Sequence, residues 1–242
     1  HKEYRRQRQM CIRDSITNPT QSPVATSTLN GSTRFKKMVG GYNFTLAIRS
    51  DGTLWSWGYN TYGAVGTGLA SSSPQYSPTQ ITSGGATWVD IVAGYYHAVG
   101  LRNDGTLWAW GYGANGQLGD GTFSSTQLVP KQVGTATDWK KICAGIYHVV
   151  ATKTDGSLWA WGSNGSGQLG DGTTTSKNVP TRIGTWTDWV EVSAGSANSA
   201  GIRQDGSLWV WGSNGNGQLG DGTTVAQYAP QRVGSGTNWK KV

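Results

Sequence analysis

The sequence predicts an all-β chain, a β-propeller of four-stranded antiparallel blades, and three observations carry that prediction. The motif Asp-Gly-(Thr/Ser)-Leu-Trp-x-Trp-Gly occurs four times, from Asp51, Asp104, Asp155 and Asp205, at steps of 53, 51 and 50 residues. A period near fifty marks stacked supersecondary units. Of the 13 tryptophans, twelve hold fixed places in that period, so the tryptophan content belongs to the architecture. The 37 glycines lie between short apolar runs, the pattern of many brief strands joined by tight turns.

The third repeat shows the elements in order. Trp139-Lys-Lys-Ile-Cys143 reads as a first strand, followed by the turn Ala144-Gly-Ile-Tyr147. His148-Val-Val-Ala-Thr-Lys153 is the second strand. Asp155-Gly156 reads as a two-residue type I′ hairpin, in which both central positions need positive φ. Leu158-Trp-Ala-Trp161 is the third strand, alternating with the pleat. A long polar loop, residues 162–172, leads to a short outer strand, Pro180-Thr-Arg-Ile183. A leading proline suits an edge, where no ladder donor is needed.

One such blade cannot bury both faces, so neighbours must stack and supply the core. The tryptophan pairs Trp55/Trp57, Trp108/Trp110, Trp159/Trp161 and Trp209/Trp211 lie two apart on a strand, hence on one face. They are assigned to the repeat core between blades. The alternative, an exposed sugar-binding or stacking platform, is disfavoured by their fixed hairpin register. Unit starts fall at Phe35, Trp88, Trp139, Trp189 and Trp239, giving repeats over 35–87, 88–138, 139–188 and 189–238 and the opening of a fifth. Ahead of them, residues 1–15 share nothing with the repeats and read as a foreign, adapter-like tail. Residues 16–33, rich in Ser, Thr, Asn and Pro, read as a linker.

The run Ala144-Gly-x-x-His148…Asp155-Gly…Trp161-Gly-x-Asn164-x-x-Gly167-Gln-Leu-Gly-x-Gly172 resembles the repeat of the regulator-of-chromosome-condensation family, over residues 35–242. The short, tryptophan-rich units look like those of bacterial members. The resemblance implies a ring of seven blades, of which four repeats would be an open arc and this chain a fragment. An open arc has two raw blade faces, an expected route to self-association.

Charge and residue chemistry exclude several functions. The chain carries 20 bases and 13 acids, of which residues 1–15 hold five and two, so the remaining 15 and 11 leave only +4. No arginine-rich run lies in the repeats, which disfavours nucleic acid. No apolar run approaches the length of a membrane span. Cys143 occupies a place filled by Val39, Val92 and Ser193, a small core position, so neither a disulfide framework nor a metal site is expected. His97 and His148 share one repeat position, held elsewhere by Phe44 and Asn198, and on neighbouring blades they read as turn residues bonded to local backbone. Asp120, Asp171 and Asp221 sit in Gly-Asp-Gly turns, where the carboxylate caps its own backbone. With no phosphate loop, nucleophile elbow or zinc motif, no enzyme, cofactor or metal is expected.

Binding remains. The turns between first and second strands and the loops between third and fourth share one face of the disc. They bring together Tyr42, Tyr95, Tyr96, Tyr147, Tyr59, Tyr62 and Tyr112, with His97 and His148 beside them. Aromatics that vary between copies on a constant scaffold suit a protein-binding face. Packing within the loops is the alternative for any one tyrosine. The family resemblance implies two models: an exchange factor that presents acidic and histidine side chains to a small GTPase, and a secreted bacterial member whose aromatics clamp a β-lactamase. The turns here carry no acid, which favours the aromatic clamp. A structural or adhesive module of a larger secreted or surface protein fits the Ser/Thr/Gly/Asn-rich composition equally. The pairs Lys36-Lys37, Lys140-Lys141 and Lys240-Lys241 read as solvated outer charge.

Overall fold

The computed structural model describes residues 34–82, 85–123 and 126–242; the tail and linker of the sequence reading lie outside them. The described chain is all-β, with four sheets of four antiparallel strands and no helix. The first blade comprises β1 (Phe35–Gly40), β2 (Phe44–Arg49), β3 (Leu54–Asn60) and β4 (Ser71–Gln80). The second has β5 (Trp88–Ala93), β6 (His97–Arg102), β7 (Leu107–Tyr112) and β8 (Thr126–Gln132). The third has β9 (Trp139–Ala144), β10 (His148–Lys153), β11 (Leu158–Gly162) and β12 (Lys177–Ile183). The fourth has β13 (Trp189–Ala194), β14 (Asn198–Arg203), β15 (Leu208–Gly212) and β16 (Gln227–Arg232). Strand order within each sheet follows the chain, and β1, β5, β9 and β13 pack side by side as the innermost strands of an open arc.

The hairpins differ from the type I′ expectation. None of the described non-glycine residues has positive φ; in the hairpin between β10 and β11 only Gly156 does, at 77°. Gly156 N donates to Lys153 O at 3.0 Å and Lys153 N to Ser157 O at 3.1 Å. This is a three-residue loop, a type I turn closed by a left-handed glycine. The aspartate does different work from the one expected. Asp155 Oδ1 accepts from Ser157 N at 2.9 Å and Ser157 Oγ at 2.6 Å, and Ser157 Oγ accepts from Trp159 Nε1 at 2.8 Å. The same relay recurs from Asp51, Asp104 and Asp205. It explains why the motif needs Asp, a hydroxyl residue and Trp at i, i+2 and i+4. Hydrogen bonds from the Thr or Ser hydroxyl, first among several causes, hold these four carboxyls below the ordinary carboxylate value.

The outer strands also start earlier than expected. β12 opens at Lys177, and Pro180 lies inside it. Pairing jumps from Ala160↔Thr181 to Gly162↔Lys177, leaving residues 178–180 opposite Trp161 alone. The proline thus sits in a bulge that needs no ladder N–H. Pro130 and Pro230 occupy the matching jumps of β8 and β16.

The core lies between blades. One buried cluster joins Leu46, Ile48 and Leu54 to Trp88, Ile91 and Trp110 of the next blade. A second joins Leu107 and Leu118 to Trp139 and Trp161, and a third joins Leu158 and Leu169 to Trp189 and Trp211. Each seam is bolted by an indole: Trp110 Nε1 donates to Ala64 O at 2.9 Å, Trp161 Nε1 to Gln117 O at 3.0 Å, and Trp211 Nε1 to Gln168 O at 2.9 Å. The acceptors belong to the long loop of the preceding blade. There Gly119 has φ of 68°, and a Cβ on it would stand 2.8 Å from Trp161 Nε1, so both conformation and contact require glycine.

The two tryptophans of a pair are therefore unequal. Trp110, Trp161 and Trp211 are fully enclosed. Trp108, Trp159 and Trp209 are half-buried at the mouth of the seam, under Arg102, Lys153 and Arg203 at 3.9, 4.6 and 5.6 Å. In the first blade Trp55 and Trp57 are both half-buried, with the Arg49 guanidinium 3.6 Å from the Trp55 ring.

Lys36 and Lys140 are exposed as expected, but Lys37 and Lys141 are not outer charge. Lys36-Lys37 and Lys140-Lys141 lie on the innermost strands β1 and β9, and Lys37 and Lys141 form ion pairs with Asp90 and Glu191 of the next blades. The alternation Lys, Asp, Lys, Glu from one inner strand to the next makes each charge a partner of its neighbour. Cys143, on β9, is half-buried and its thiol donates to Val192 O at 2.8 Å.

Trp161→Ala is expected to lower the unfolding free energy by about 3–5 kcal/mol, the cost of emptying an enclosed aromatic site. Trp159→Ala, at the half-buried mouth, should cost less than half as much. Urea unfolding of the two variants checks the order; equal losses would show that the rings are equivalent.

Candidate protein-interaction face

The turns between first and second strands are tied to one another by backbone. Tyr42 N donates to Tyr95 O at 3.1 Å, Tyr95 N to Ile146 O at 3.2 Å, and Ile146 N to Ser196 O at 3.3 Å. This belt runs across all four blades and fixes the height and spacing of the side chains above it. The third-to-fourth strand loops are fixed as firmly in their own blades. Asn164 Oδ1 accepts from Leu169 N at 3.0 Å while its Nδ2 donates to Thr173 O at 3.0 Å and Thr175 O at 3.2 Å. Asn214 repeats the arrangement in the fourth blade.

On this frame seven of the chain's 10 tyrosines meet. Tyr42 stacks on Tyr95, with ring centroids 4.2 Å apart, and Tyr96 stands edge-on to Tyr95 at 4.4 Å. Tyr62 bridges Tyr96 at 4.8 Å and Tyr112 at 5.1 Å, and Tyr59 reaches Tyr96 at 6.2 Å. Tyr147 closes the network against Tyr95 and Tyr112. Offset and edge contacts of this kind hold rings in place beyond simple burial. Tyr42 is the most exposed member, at 55 %, and the other six are half-buried. The cluster stops at the fourth blade, where Ser196 and Ala197 fill the turn. A cavity of about 240 Å³ opens between Tyr42, Tyr95 and Ile146, floored by Gly94, Gly145 and Gly195.

The first-to-second strand turns hold no charged side chain. The Tyr95 phenol is raised above its ordinary value, first by its hydrogen bond with Tyr42, and burial raises Tyr147. Both hydroxyls stay protonated at neutral pH and can donate as well as accept.

His97 and His148 are not part of this surface. Both are fully buried beneath the turns, which corrects the expectation that they contact a partner or bond to the local backbone. A Cβ on Gly94 would meet the His97 ring at 2.0 Å, and one on Gly145 the His148 ring at 2.2 Å; the Ala-Gly-x-x-His pattern is a packing motif. His148 Nε2 lies 2.9 Å from Ser199 Oγ, whose own proton goes to Gln168 O at 2.8 Å. The imidazole must therefore be the donor, so Nε2 carries the hydrogen. Neither ring nitrogen of His97 has a hydrogen-bond partner. Burial, aided by the neighbouring His148, lowers the His97 pKa to about 3, and burial lowers that of His148 to about 4.

The sequence places these tyrosines on one face, but the ring contacts across blades depend on blade spacing, which it does not report. Among the described residues no group of three or more His, Cys, Asp or Glu could hold a metal ion. Nor do they hold a helix long and apolar enough to cross a membrane.

Comparison with known proteins agrees with this architecture. The family model described as the RCC1-like domain matches residues 6–242. The chain is 32% identical over 142 residues to the ultraviolet-B receptor UVR8 of Arabidopsis thaliana, covering 57% of this chain and 32% of the receptor. It is 37% identical over 136 residues to the human E3 ubiquitin-protein ligase HERC2, covering 54% of this chain and 3% of the ligase. Among solved structures, human WBSCR16 superposes with a TM-score of 0.74 at 24% identity, over 84% of this chain and 53% of that one. Yeast RCC1 (Prp20), solved with Kap60, gives 0.59 at 18% identity, over 84% and 62%. The chain thus spans a third or less of these two curated relatives.

Acid should weaken the protein through the two histidines. Unfolded, each takes up a proton near pH 6.5; folded, they refuse it until about 3 and 4. Their contribution is complete above that unfolded value and is lost as pH falls, at about 1.4 kcal/mol per pH unit per histidine. His97→Phe, the residue of the first blade, is expected to fold well at pH 7 and to lose roughly 2 kcal/mol less than the parent between pH 6.5 and 5. Urea midpoints across this range check it; an unchanged acid slope would contradict it.

Proposed function

The chain belongs to the RCC1-like domain family, and on that footing we propose that it is a non-enzymatic protein-interaction module that binds a partner protein through its tyrosine face. The observation that supports this reading is the seven-tyrosine network, four of them in turns and three on strand ends or a loop, at positions that the fold does not need to be aromatic. The fourth blade completes the same belt with Ser196 and Ala197. Tyrosine supplies a large amphipathic contact area with few rotamers to order, and neutral phenols give hydrogen bonds without a charge to desolvate. The small cavity beside Tyr42 accepts a side chain from the partner, as central anchor pockets do. The yeast relative is described bound to Kap60 and by its binding to Gsp1p and histones, so a protein partner has a precedent on this framework. Nucleotide exchange is not proposed, because the turns carry no acidic side chain.

A photo-cross-linking residue at Tyr42 should capture a protein partner, whereas the same residue at Tyr76, 76 % exposed on β4, should not. With the partner in hand, Tyr42→Ala or Tyr95→Ala should cost at least about 2 kcal/mol of binding, roughly thirtyfold in Kd. Cross-linking only at Tyr76, or Kd values unmoved in both variants, would contradict the reading.

A further inference from the structure

We propose that a groove between the third and fourth blades, bordered by Trp186, binds the ring of a neutral sugar. Trp186 is the one tryptophan outside the repeat register, its place being taken by Gly85, Ala136 and Gly236 in the other copies. It lies between β12 and β13, on the side of the disc that carries the second-to-third strand hairpins, opposite the tyrosines. The other blades carry Ala or Gly at this place, so the fold itself does not call for an indole. The ring is 38 % exposed and borders a cavity of about 430 Å³ shared with Arg182, Asp171, Trp189 and Pro230. That size falls in the range of small-ligand pockets, roughly 300–1,000 Å³.

The ring is held ready. The Arg203 guanidinium stands 4.1 Å from its centroid. Arg203 Nε is itself fixed by Asp188, at 2.8 Å from Oδ1 and 3.0 Å from Oδ2. Trp209 and Trp189 brace the indole at 4.8 and 5.9 Å. A ligand that stacks there has no side chain to order, which removes a main cost of binding.

The chemistry of the lining selects the ligand. Arg182 uses one N–H on Thr185 O at 3.3 Å and is otherwise a fork of donors. Asp171 supplies carboxylate oxygens: Oδ1 accepts from Thr173 and Asn164, and Oδ2 lies 3.6 Å from Lys177 Nζ. An anionic phosphate, sulfate or carboxylate ligand on Arg182 would also face the Asp171 carboxylate on the same lining, which disfavours it. A pyranose fits: its C–H face meets the electron-rich indole face, and its hydroxyls can accept from Arg182 and donate to Asp171. A nucleotide fits less well, since its phosphate would lie beside Asp171.

The test titrates the whole chain with tetrasaccharides of β-1,4-glucan, α-1,4-glucan and β-1,4-mannan, following tryptophan fluorescence and calorimetry. A hyaluronan tetrasaccharide and an oligo-dT octamer serve as anionic comparators. At least one neutral tetrasaccharide should bind saturably. Trp186→Ala, the residue of the second repeat, should weaken it at least tenfold with an unchanged Tm, and Arg182→Gln by a smaller factor. Tyr42→Ala should leave it unmoved. No saturable binding of any neutral tetrasaccharide would overturn the proposal, as would equal affinity in Trp186→Ala or tighter binding of either anionic probe.

Discussion

The hydrogen bond from each blade's second indole to the carbonyl of the preceding blade's loop is the interaction on which the rest of the structure depends. A four-stranded sheet has two faces and cannot cover either alone. Each seam between described blades is closed by an enclosed ring, Trp110, Trp161 or Trp211, with a loop glycine against it and a leucine or valine packed beside it. An indole buried without an acceptor would forfeit part of what its burial contributes. The loop carbonyl meets that need and sets the register between neighbouring sheets. The Asp–Ser/Thr–Trp relay then fixes the first tryptophan at the seam's mouth, and the inner-strand ion pairs align the opposite edge.

Because cohesion resides in strands and loops that repeat, the first-to-second strand turns are released to differ. Their backbone is fixed by the interblade belt and their undersides by Phe44, His97, His148 or Asn198 packed on glycine. What projects upward can be Tyr-Tyr, Ile-Tyr or Ser-Ala without disturbing the seam. A rigid base with freely chosen side chains is the physical requirement for a recognition face. The buried histidines belong to the base: kept neutral by burial, they occupy the place of a phenyl ring.

Strand order, blade composition and the inward tryptophans were legible in the sequence, since period-two alternation and a fifty-residue repeat report on local pairing directly. The type I′ turn was misread because Asp-Gly serves two hairpin types. Only the position of the hydroxyl residue at i+2, which donates to the carboxylate, separates them. The outer strand was placed too late because proline normally opens an edge strand, whereas here it occupies a bulge opposite the buried tryptophan. His97 and His148 were placed on the surface because sequence shows them next to turn tyrosines. The alternation of strand faces turns them under the belt. Lys37 and Lys141 were misassigned because sequence does not tell an inner strand from an outer one.

The account's central claim is that the blades are held by the seams between them. Native-state amide hydrogen exchange tests it most directly. The slowest amides of β6 and β10 lie in different blades, each flanked by described neighbours on both sides. If the seams carry the stability, these amides share one opening free energy, and it falls with denaturant at one common slope. Distinct opening free energies for the two sheets, with separate denaturant slopes, would show that each blade holds itself together and would contradict the claim.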